Sequence, residues 1–175
     1  APQHAARLLE ASGMIPATRA TLDRLTFEPI YTCYLQYGPN VALARPMLGL
    51  GGGLLQWAFD RGALGGPGGL IAAVVSARGP HEELLHGAFA EIAQRELSRV
   101  VPDLPAPAWT RVIAEQRATF SCVPDLVRPG HATDVAGLFL AGDYTASDYP
   151  ATLEGAVRSG VAAARLALAT PQPAA

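Results

Sequence analysis

The stretch GLFLAGDYTASDYPATLEGAVRSG, residues 137–160, joins a short apolar run, a polar loop and a segment rich in small residues. Residues 137–143 keep an apolar character up to Gly142-Asp143, which predicts a short strand buried on both faces. Residues 152–169 predict a helix whose small residues let its backbone pack closely against a neighbour. The first N–H groups of such a helix have no partner within it, so they favour an anionic oxygen or a ring nitrogen.

Asp143 stands where the predicted strand ends and the polar loop begins. Its carboxylate can accept hydrogen bonds from hydroxyl groups, for example those of a sugar-alcohol chain. The helix that follows offers backbone to a flat ring, because no large side chain keeps the ring away. A well-capped helix beside an acidic loop explains the same pattern without a ligand, and these residues alone leave both interpretations open.

The sequence upstream of this stretch predicts two short helices, a series of strands, one long helix and a further strand. Period-two alternation with aromatic and β-branched residues indicates strands, and apolar residues on one helical face indicate the long helix. Strand and helix do not alternate regularly, so the pattern predicts an α+β fold rather than a doubly wound sheet. The predicted elements are helices 3–12, 18–25 and 81–100 and strands 28–38, 54–62, 69–77 and 107–122.

The composition excludes several classes of protein. All 13 basic residues are arginine, which excludes a P-loop lysine and a Schiff-base lysine. The net charge of −2 provides no broad basic surface, so we expect no nucleic-acid partner. Cys33 and Cys122 form no C-x-x-C pair and the histidines share no ligand spacing with carboxylates, so we expect no metal site. We expect the histidines at the surface; they are His4, His81, His86 and His131.

No segment of the sequence predicts a membrane span. The apolar stretches 41–59 and 64–77 are interrupted or too short for the roughly 20 apolar residues that a spanning helix needs. The opening residues have neither the basic region nor the apolar run of a signal peptide. We therefore expect a cytoplasmic protein, and contact with the inner face of a membrane stays open.

The stretch 137–160 resembles the C-terminal flavin-binding motif of the FAD-dependent amine oxidase and phytoene desaturase superfamily. That motif is a hydrophobic strand, a Gly-Asp pair, a loop, and then Pro-x-Thr-x-Glu-Gly-Ala opening a helix. Residues 138–141 match the strand, and Arg158, Ser159 and Gly160 continue the match beyond the helix start. The other matching residues are Gly142, Asp143, Pro150, Thr152, Glu154, Gly155 and Ala156.

This resemblance implies how the residues would hold FAD. Asp143 would hydrogen-bond the ribityl chain, and the backbone around Thr152 and Leu153 would face the pyrimidine side of the isoalloxazine. The helix N-terminus would stabilise negative charge on N1 and C2=O of the reduced flavin, as the helix dipole also favours. The implied cofactor-binding residues are Gly142, Asp143, Pro150, Ala151, Thr152 and Leu153.

Upstream strings extend the resemblance to residues 1–168 and point to the squalene-associated desaturase branch; they include IYTCYLQY (30–37), QWAFDRG (56–62) and EQRATFSC (115–122). The branch implies an FAD-dependent oxidoreductase acting on a long apolar isoprenoid, through the reductive dehydroxylation of hydroxysqualene in hopanoid biosynthesis. No residue is nominated as the catalytic acid. In the substrate domain of this fold, four side chains are candidates for an apolar tunnel, with ordinary sheet core as the alternative: Tyr34, Gln36, Trp57 and Phe59.

The resemblance also implies the domain organisation. Residues 1–135 would be a substrate-domain portion with a mixed, largely antiparallel sheet and flanking helices. Residues 136–170 would be the C-terminal strand and helix of the FAD-binding domain, and 171–175 a disordered tail. No glycine cluster in the sequence satisfies G-x-G-x-x-G between a strand and a helix, so we expect the N-terminal Rossmann half to be absent from this sequence. We expect a fragment that is inactive alone, binds FAD weakly or not at all, and needs an N-terminal FAD-binding domain as its partner.

Two alternatives stay open. The chain could belong to another flavin desaturase or an amine oxidase. It could also be a non-enzymatic module that forms a homodimer by pairing its exposed apolar faces.

Overall fold

The computed structural model describes residues 2–12 and 15–170, so the predicted disordered tail lies outside the described residues. Two compact units divide the chain. We call Glu28–Ala118 the sheet unit and the described parts of Ala1–Phe27 and Thr119–Ala175 the terminal unit. The helices are Pro2–Ser12 (α1), Pro16–Asp23 (α2), His86–Leu97 (α3) and Leu153–Ala169 (α4), and the strands are Phe27–Gln36 (β1), Met47–Gly49 (β2), Trp57–Asp60 (β3), Leu70–Ser76 (β4) and Trp109–Phe120 (β5).

The strands form one five-stranded sheet in the order β2-β3-β4-β1-β5. β1 pairs antiparallel with β4, and β3 pairs antiparallel with both β2 and β4. These pairings confirm the prediction of an α+β fold with a largely antiparallel sheet. The compact units do not divide at residue 135, and the assignment of either segment to a substrate or an FAD domain stays a prediction.

Helix α3 covers one face of the sheet. Its buried residues are Phe89, Ala90, Ala93 and Leu97. They pack in one apolar cluster with the alternate residues of β1 that face the same way, Tyr31, Cys33 and Leu35. Burial on one face of β1 and half-burial on the other follow from the period of two in a strand.

The prediction of a continuous helix 81–100 is wrong in its first turn. Pro80–Glu83 is a 3-10 turn, and the backbone is extended at Leu84 and Leu85 before α3 begins. The His81 ring is buried and packs edge-to-face on the Tyr31 ring, with 4.8 Å between the ring centroids. This contact connects the turn to the sheet. The surface location predicted for His81 is therefore also wrong, because periodicity does not reveal a ring that packs from a turn.

The strand predicted for 137–143 is also wrong. This segment forms a single bridge, between Ala132 and Phe139, and the Leu140 N–H donates to the His131 carbonyl at 2.8 Å. Leu138 and Leu140 are still buried or half-buried. An apolar run predicts burial, but a strand also needs a paired neighbour along several residues.

Strand β3 is shorter than the predicted 54–62, and β2 lies outside every element predicted from the sequence. The N–H groups of Leu54 and Leu55 donate to the two carboxylate oxygens of Glu96, at 2.8 and 2.9 Å, instead of to a strand. A side chain distant in sequence therefore sets where β3 begins.

The terminal unit has its own apolar cluster. It is formed by residues of α1, α2 and the segments around them together with two aromatic residues; the buried members are Ala6, Leu9, Ile15, Leu22, Leu25, Phe120 and Tyr144. Among the described residues, no helix is long and apolar enough to cross a membrane. In the same part of the chain, no three His, Cys, Asp or Glu side chains are grouped to hold a metal ion.

Candidate functional site

Thr152 caps the N-terminus of α4. Thr152 is extended, and its Oγ1 accepts a hydrogen bond from the Gly155 N–H at 3.1 Å. Such a cap contributes about 1 kcal/mol. The first backbone bond of the helix runs from the Ala156 N–H to the Thr152 carbonyl. The N–H groups of Leu153 and Glu154 therefore have no carbonyl acceptor within the helix. Leu153 is 88% exposed, so the helix opens onto accessible space.

Gly155 allows the chain to turn tightly into α4. A Cβ at this position would lie 3.2 Å from the Pro150 carbonyl oxygen, 3.2 Å from Thr152 Oγ1 and 3.3 Å from the Tyr149 Cβ. Any larger residue would push the loop away from the helix and weaken the cap.

Gly142 lies at the other end of the loop and is locked onto α4 by two buried hydroxyls. The Gly142 N–H donates to Ser159 Oγ at 2.9 Å, and Thr145 Oγ1 donates to the Gly142 carbonyl at 2.9 Å. The two hydroxyl oxygens are 2.8 Å apart. If the Ser159 hydroxyl donates to the Thr145 hydroxyl, the three hydrogen bonds form a closed cycle in which each group has a partner. We call this cycle of Gly142, Thr145 and Ser159 the hydroxyl ring. Gly142 has φ +150°, and a Cβ there would overlap the buried Tyr144 ring, so glycine is required.

Asp143 follows this ring directly and is half-buried. Within the described residues its carboxylate accepts no hydrogen bond, so its oxygens are available to a donor from outside. Burial, and to a smaller extent the charge of Asp143, raises the pKa of the neighbouring Tyr144 phenol. The Tyr144 phenol therefore stays neutral beside Asp143.

Arg128 holds the loop between Asp143 and Pro150 from the inside. Its Nη1 donates to the Tyr149 carbonyl at 2.9 Å and to the Asp143 carbonyl at 3.4 Å, and its Nη2 donates to the Ser147 carbonyl. Its guanidinium carbon lies 5.4 Å from the centre of the Phe120 ring. The loop is therefore held at both ends and in the middle.

All six predicted cofactor-binding residues lie on this loop or on the first turn of α4. Sequence reasoning missed Arg128, Thr145 and Ser159 as residues that shape the site. The spacing of Gly155 and Ser159 by four could have indicated a shared helix face, whereas no sequence signal pointed to Arg128. The predicted residues are Gly142, Asp143, Pro150, Ala151, Thr152 and Leu153.

The four predicted substrate-lining residues meet on one face of the sheet, opposite α3. Tyr34 and Phe59 are both register partners of Ala72, and Trp57 is the partner of Val74. Gln36 has the same parity as Tyr34 along β1, so it shares this face. We call this surface the open sheet face.

The open sheet face is apolar and accessible. Trp57 is 42% exposed and Met47, which pairs with Phe59, is 53% exposed. The Gln36 amide nitrogen donates to the Tyr37 and Gly68 carbonyls at 2.8 and 3.0 Å, so this polar group is already occupied. The face is thus neither a closed core nor a polar surface, and it presents mainly aromatic rings.

A model of the family described as flavin containing amine oxidoreductase matches residues 1–168. The chain belongs to this family. Hydroxysqualene dehydroxylase of Sinorhizobium fredii is 34% identical over 164 residues, which are 90% of this chain and 36% of that protein. Hydroxysqualene dehydroxylase of Rhodopseudomonas palustris is 30% identical over 165 residues, with 91% and 36% covered. The chain therefore spans about a third of the length of these relatives.

A carotenoid enzyme and a solved structure are also similar. Zeta-carotene desaturase of Synechocystis is 36% identical over 111 residues, covering 59% of this chain and 22% of that protein. The crystal structure named "Putative protoporphyrinogen oxidase" from Exiguobacterium sp. 255-15 has a TM-score of 0.58 at 10% identity, covering 93% of this chain and 39% of that one. At this identity the structural likeness establishes the fold alone. The family match and the hydroxysqualene dehydroxylase relatives confirm the predicted resemblance to the amine oxidase and phytoene desaturase superfamily.

Proposed function

We propose that the chain is the C-terminal part of an FAD-dependent oxidoreductase that converts hydroxysqualene to squalene by reductive dehydroxylation. The observation that carries the proposal is the loop from Gly142 to Thr152, fixed at both ends on α4, in a chain of a flavin family. A rigid loop of this kind holds its polar groups ready for a ligand and lowers the entropy cost of binding.

The residues present fit FAD. The unpartnered carboxylate of Asp143 would accept hydrogen bonds from the ribityl hydroxyls. The unpaired N–H groups of Leu153 and Glu154 would face the pyrimidine side of the ring, where the positive end of α4 favours negative charge. When bound, the flavin supplies the hydride chemistry, and the chain contributes binding and orientation.

The open sheet face suits a long apolar substrate. Trp57, Tyr34 and Phe59 present ring surface with few free polar groups. A hydrocarbon chain that binds there removes apolar surface from water and desolvates few polar groups. The names of the two relatives that match about 90% of the chain supply the specific substrate. A cytoplasmic location with contact to the membrane surface would give access to such a substrate and belongs to the same proposal.

The pyrophosphate half of the FAD site is expected in an N-terminal domain, because the sequence contains no dinucleotide-binding fingerprint. The isolated chain should then be inactive and bind FAD weakly or not at all. The apolar helix and sheet faces that it exposes would also favour its pairing with a second copy, which is the non-enzymatic alternative.

Carotenoid desaturation is the second candidate reaction. The zeta-carotene desaturase relative supports it, although that similarity covers only 59% of the chain. The open sheet face would accommodate a carotene as well as a squalene precursor, so shape alone does not separate the two.

Product analysis tests the proposal. The protein expressed from its complete gene is loaded with FAD and incubated either with hydroxysqualene and a reductant for the flavin or with phytoene or zeta-carotene and an electron acceptor, and products are separated by chromatography. We expect squalene from hydroxysqualene and no desaturated carotene. Desaturation without dehydroxylation would replace the proposed reaction with the second candidate, and a lack of both activities in a flavin-loaded protein would contradict both.

A further inference from the structure

We infer that Arg128 is a positioning residue that fixes the loop 143–149 and thereby holds the Asp143 carboxylate in place for its ligand. The role of the loop in holding a flavin rests on the proposed function, whereas the action of Arg128 on the loop rests on contacts alone. Arg128 lies outside the matched motif 137–160, and sequence reasoning gave it no part in the site.

The contacts of Arg128 are spread along the loop. Its guanidinium donates to the carbonyls of Asp143, Ser147 and Tyr149 and so joins the first, middle and last residues of the segment. The backbone adds one bond between the same two segments, from the Ala146 N–H to the Pro129 carbonyl at 2.9 Å. Without Arg128, the Asp143 and Ser147 carbonyls would lose this donor, and the Tyr149 carbonyl would keep only the longer bond from Ser147 Oγ at 3.5 Å.

These contacts require the shape of arginine as well as its charge. The acceptors are neutral carbonyl oxygens, and among the described residues no carboxylate forms an ion pair with Arg128. The guanidinium presents a rigid fork of donors and remains charged at any accessible pH, whereas lysine offers a single flexible ammonium. The guanidinium carbon also lies over the Phe120 ring, 5.4 Å from its centre, which adds a cation–π contact.

The contacts of Arg128 act on Asp143 through the backbone. The Asp143 carbonyl is held by Arg128, and the preceding residue, Gly142, is held by Ser159 and Thr145. Because the peptide group is planar, fixing both sides of Asp143 limits the directions in which its carboxylate can point. With this backbone fixed, the carboxylate can move only by rotation about χ1 and χ2.

The test uses the protein expressed from its complete gene, with the variants Arg128→Gln and Arg128→Lys. Arg165→Gln, which changes an exposed arginine of α4, is the matched control. Hydrogen exchange of the 143–149 segment is measured by mass spectrometry without added cofactor, and the FAD dissociation constant and flavin absorption spectrum are measured separately. Loss of a charged hydrogen-bond donor should change both the opening equilibrium of the 143–149 segment and the FAD dissociation constant by about tenfold.

We expect both Arg128 variants to exchange about tenfold faster in 143–149 and to bind FAD about tenfold more weakly with a shifted spectrum, while the control changes neither. Unchanged exchange in both variants would overturn the inference. Faster exchange with unchanged FAD binding and spectrum would overturn the positioning role. If the unaltered protein binds no FAD, the proposed function fails, and the exchange result alone still decides whether Arg128 fixes the loop. The Lys variant keeps the test usable if the Gln variant fails to fold.

Discussion

The sheet unit and the terminal unit are stabilised in different ways. In the sheet unit, α3 buries Phe89 and Leu97 against alternate residues of β1 and β4, so non-directional apolar burial holds the fold. In the terminal unit, the loop before α4 is held by a hydroxyl ring and by Arg128. Apolar burial tolerates small changes in direction, whereas these bonds fail when one partner is lost.

The two units also differ in how their candidate functional groups relate to stability. On the open sheet face, Trp57 is 42% exposed and contributes little to the core. In the terminal unit, Gly142 and Thr152 both shape the fold and lie in the predicted site. Mutations should therefore separate function from stability in the sheet unit more readily than in the terminal unit.

The largest expected effect comes from the core of the sheet unit. Phe89 is fully buried, and Phe89→Ala should lower the free energy of unfolding by about 3–5 kcal/mol. Leu85→Ala, four residues earlier at an 82% exposed position, should change it by less than about 0.5 kcal/mol. Urea unfolding measures both. Equal losses in the two variants would show that α3 does not pack as described.

High pH should weaken the sheet unit next. Burial raises the pKa of the Cys33 thiol from 9.0 to about 11, so folding favours the protonated form. This stabilisation is complete below pH 9 and is lost as pH rises through 11, to a total of about 2–3 kcal/mol. Burial raises the pKa of Tyr37 as well and acts in the same direction.

Cys33→Ala provides the control for this pH effect. Stability measured by urea unfolding between pH 8 and 11 should fall less steeply in this variant, since one of the titrating groups is gone. An identical slope in the variant and the unaltered chain would mean that Cys33 is not buried as described.

A smaller effect is expected from the hydroxyl ring of the terminal unit. Ser159→Ala leaves the Gly142 N–H without its acceptor and should cost about 1–3 kcal/mol. Adding Thr145→Val should cost less than the sum of the single changes, because the two hydroxyls act together. Chemical unfolding of the four proteins in this cycle measures the coupling, and strictly additive losses would argue against a closed ring.

The smallest effect on stability is expected on the open sheet face. Trp57→Ala should change the free energy of unfolding by less than about 1 kcal/mol, since the ring is exposed. The same change should raise the KM for hydroxysqualene about tenfold in the protein expressed from its complete gene, because apolar contact area is lost. A large loss of stability with an unchanged KM would place Trp57 in the core rather than in the site.

The sequence predicted the elements that have a clear local pattern. The alternation in β1, the apolar stretch of β4 and the run of small residues in α4 are all local signals. The strand at 137–143 and the full length of helix 81–100 were wrong because their outcome depends on tertiary partners. Residues 137–143 have one isolated bridge, between Ala132 and Phe139, and His81 packs on Tyr31.

The candidate site was predictable to the same extent. Asp143 and Thr152 stand in a motif that can be read along the chain, and the structure places both beside α4. Arg128 and the Thr145–Ser159 pair act across 14 or more residues of sequence, where no local pattern indicates contact. Residues that stand in one local motif are thus easier to predict than residues that act from a distant part of the sequence.

Flavin retention is the most direct test of the central claim, that Gly142 to Thr152 forms one part of a flavin site. The protein expressed from its complete gene, its Asp143→Ala variant and the isolated 175-residue chain are loaded with FAD and passed through a gel-filtration column. We predict bound flavin absorbance with the complete protein, a marked loss in the variant and none with the isolated chain. A complete protein without flavin, a variant that retains it fully, or an isolated chain that carries it stoichiometrically would contradict the claim.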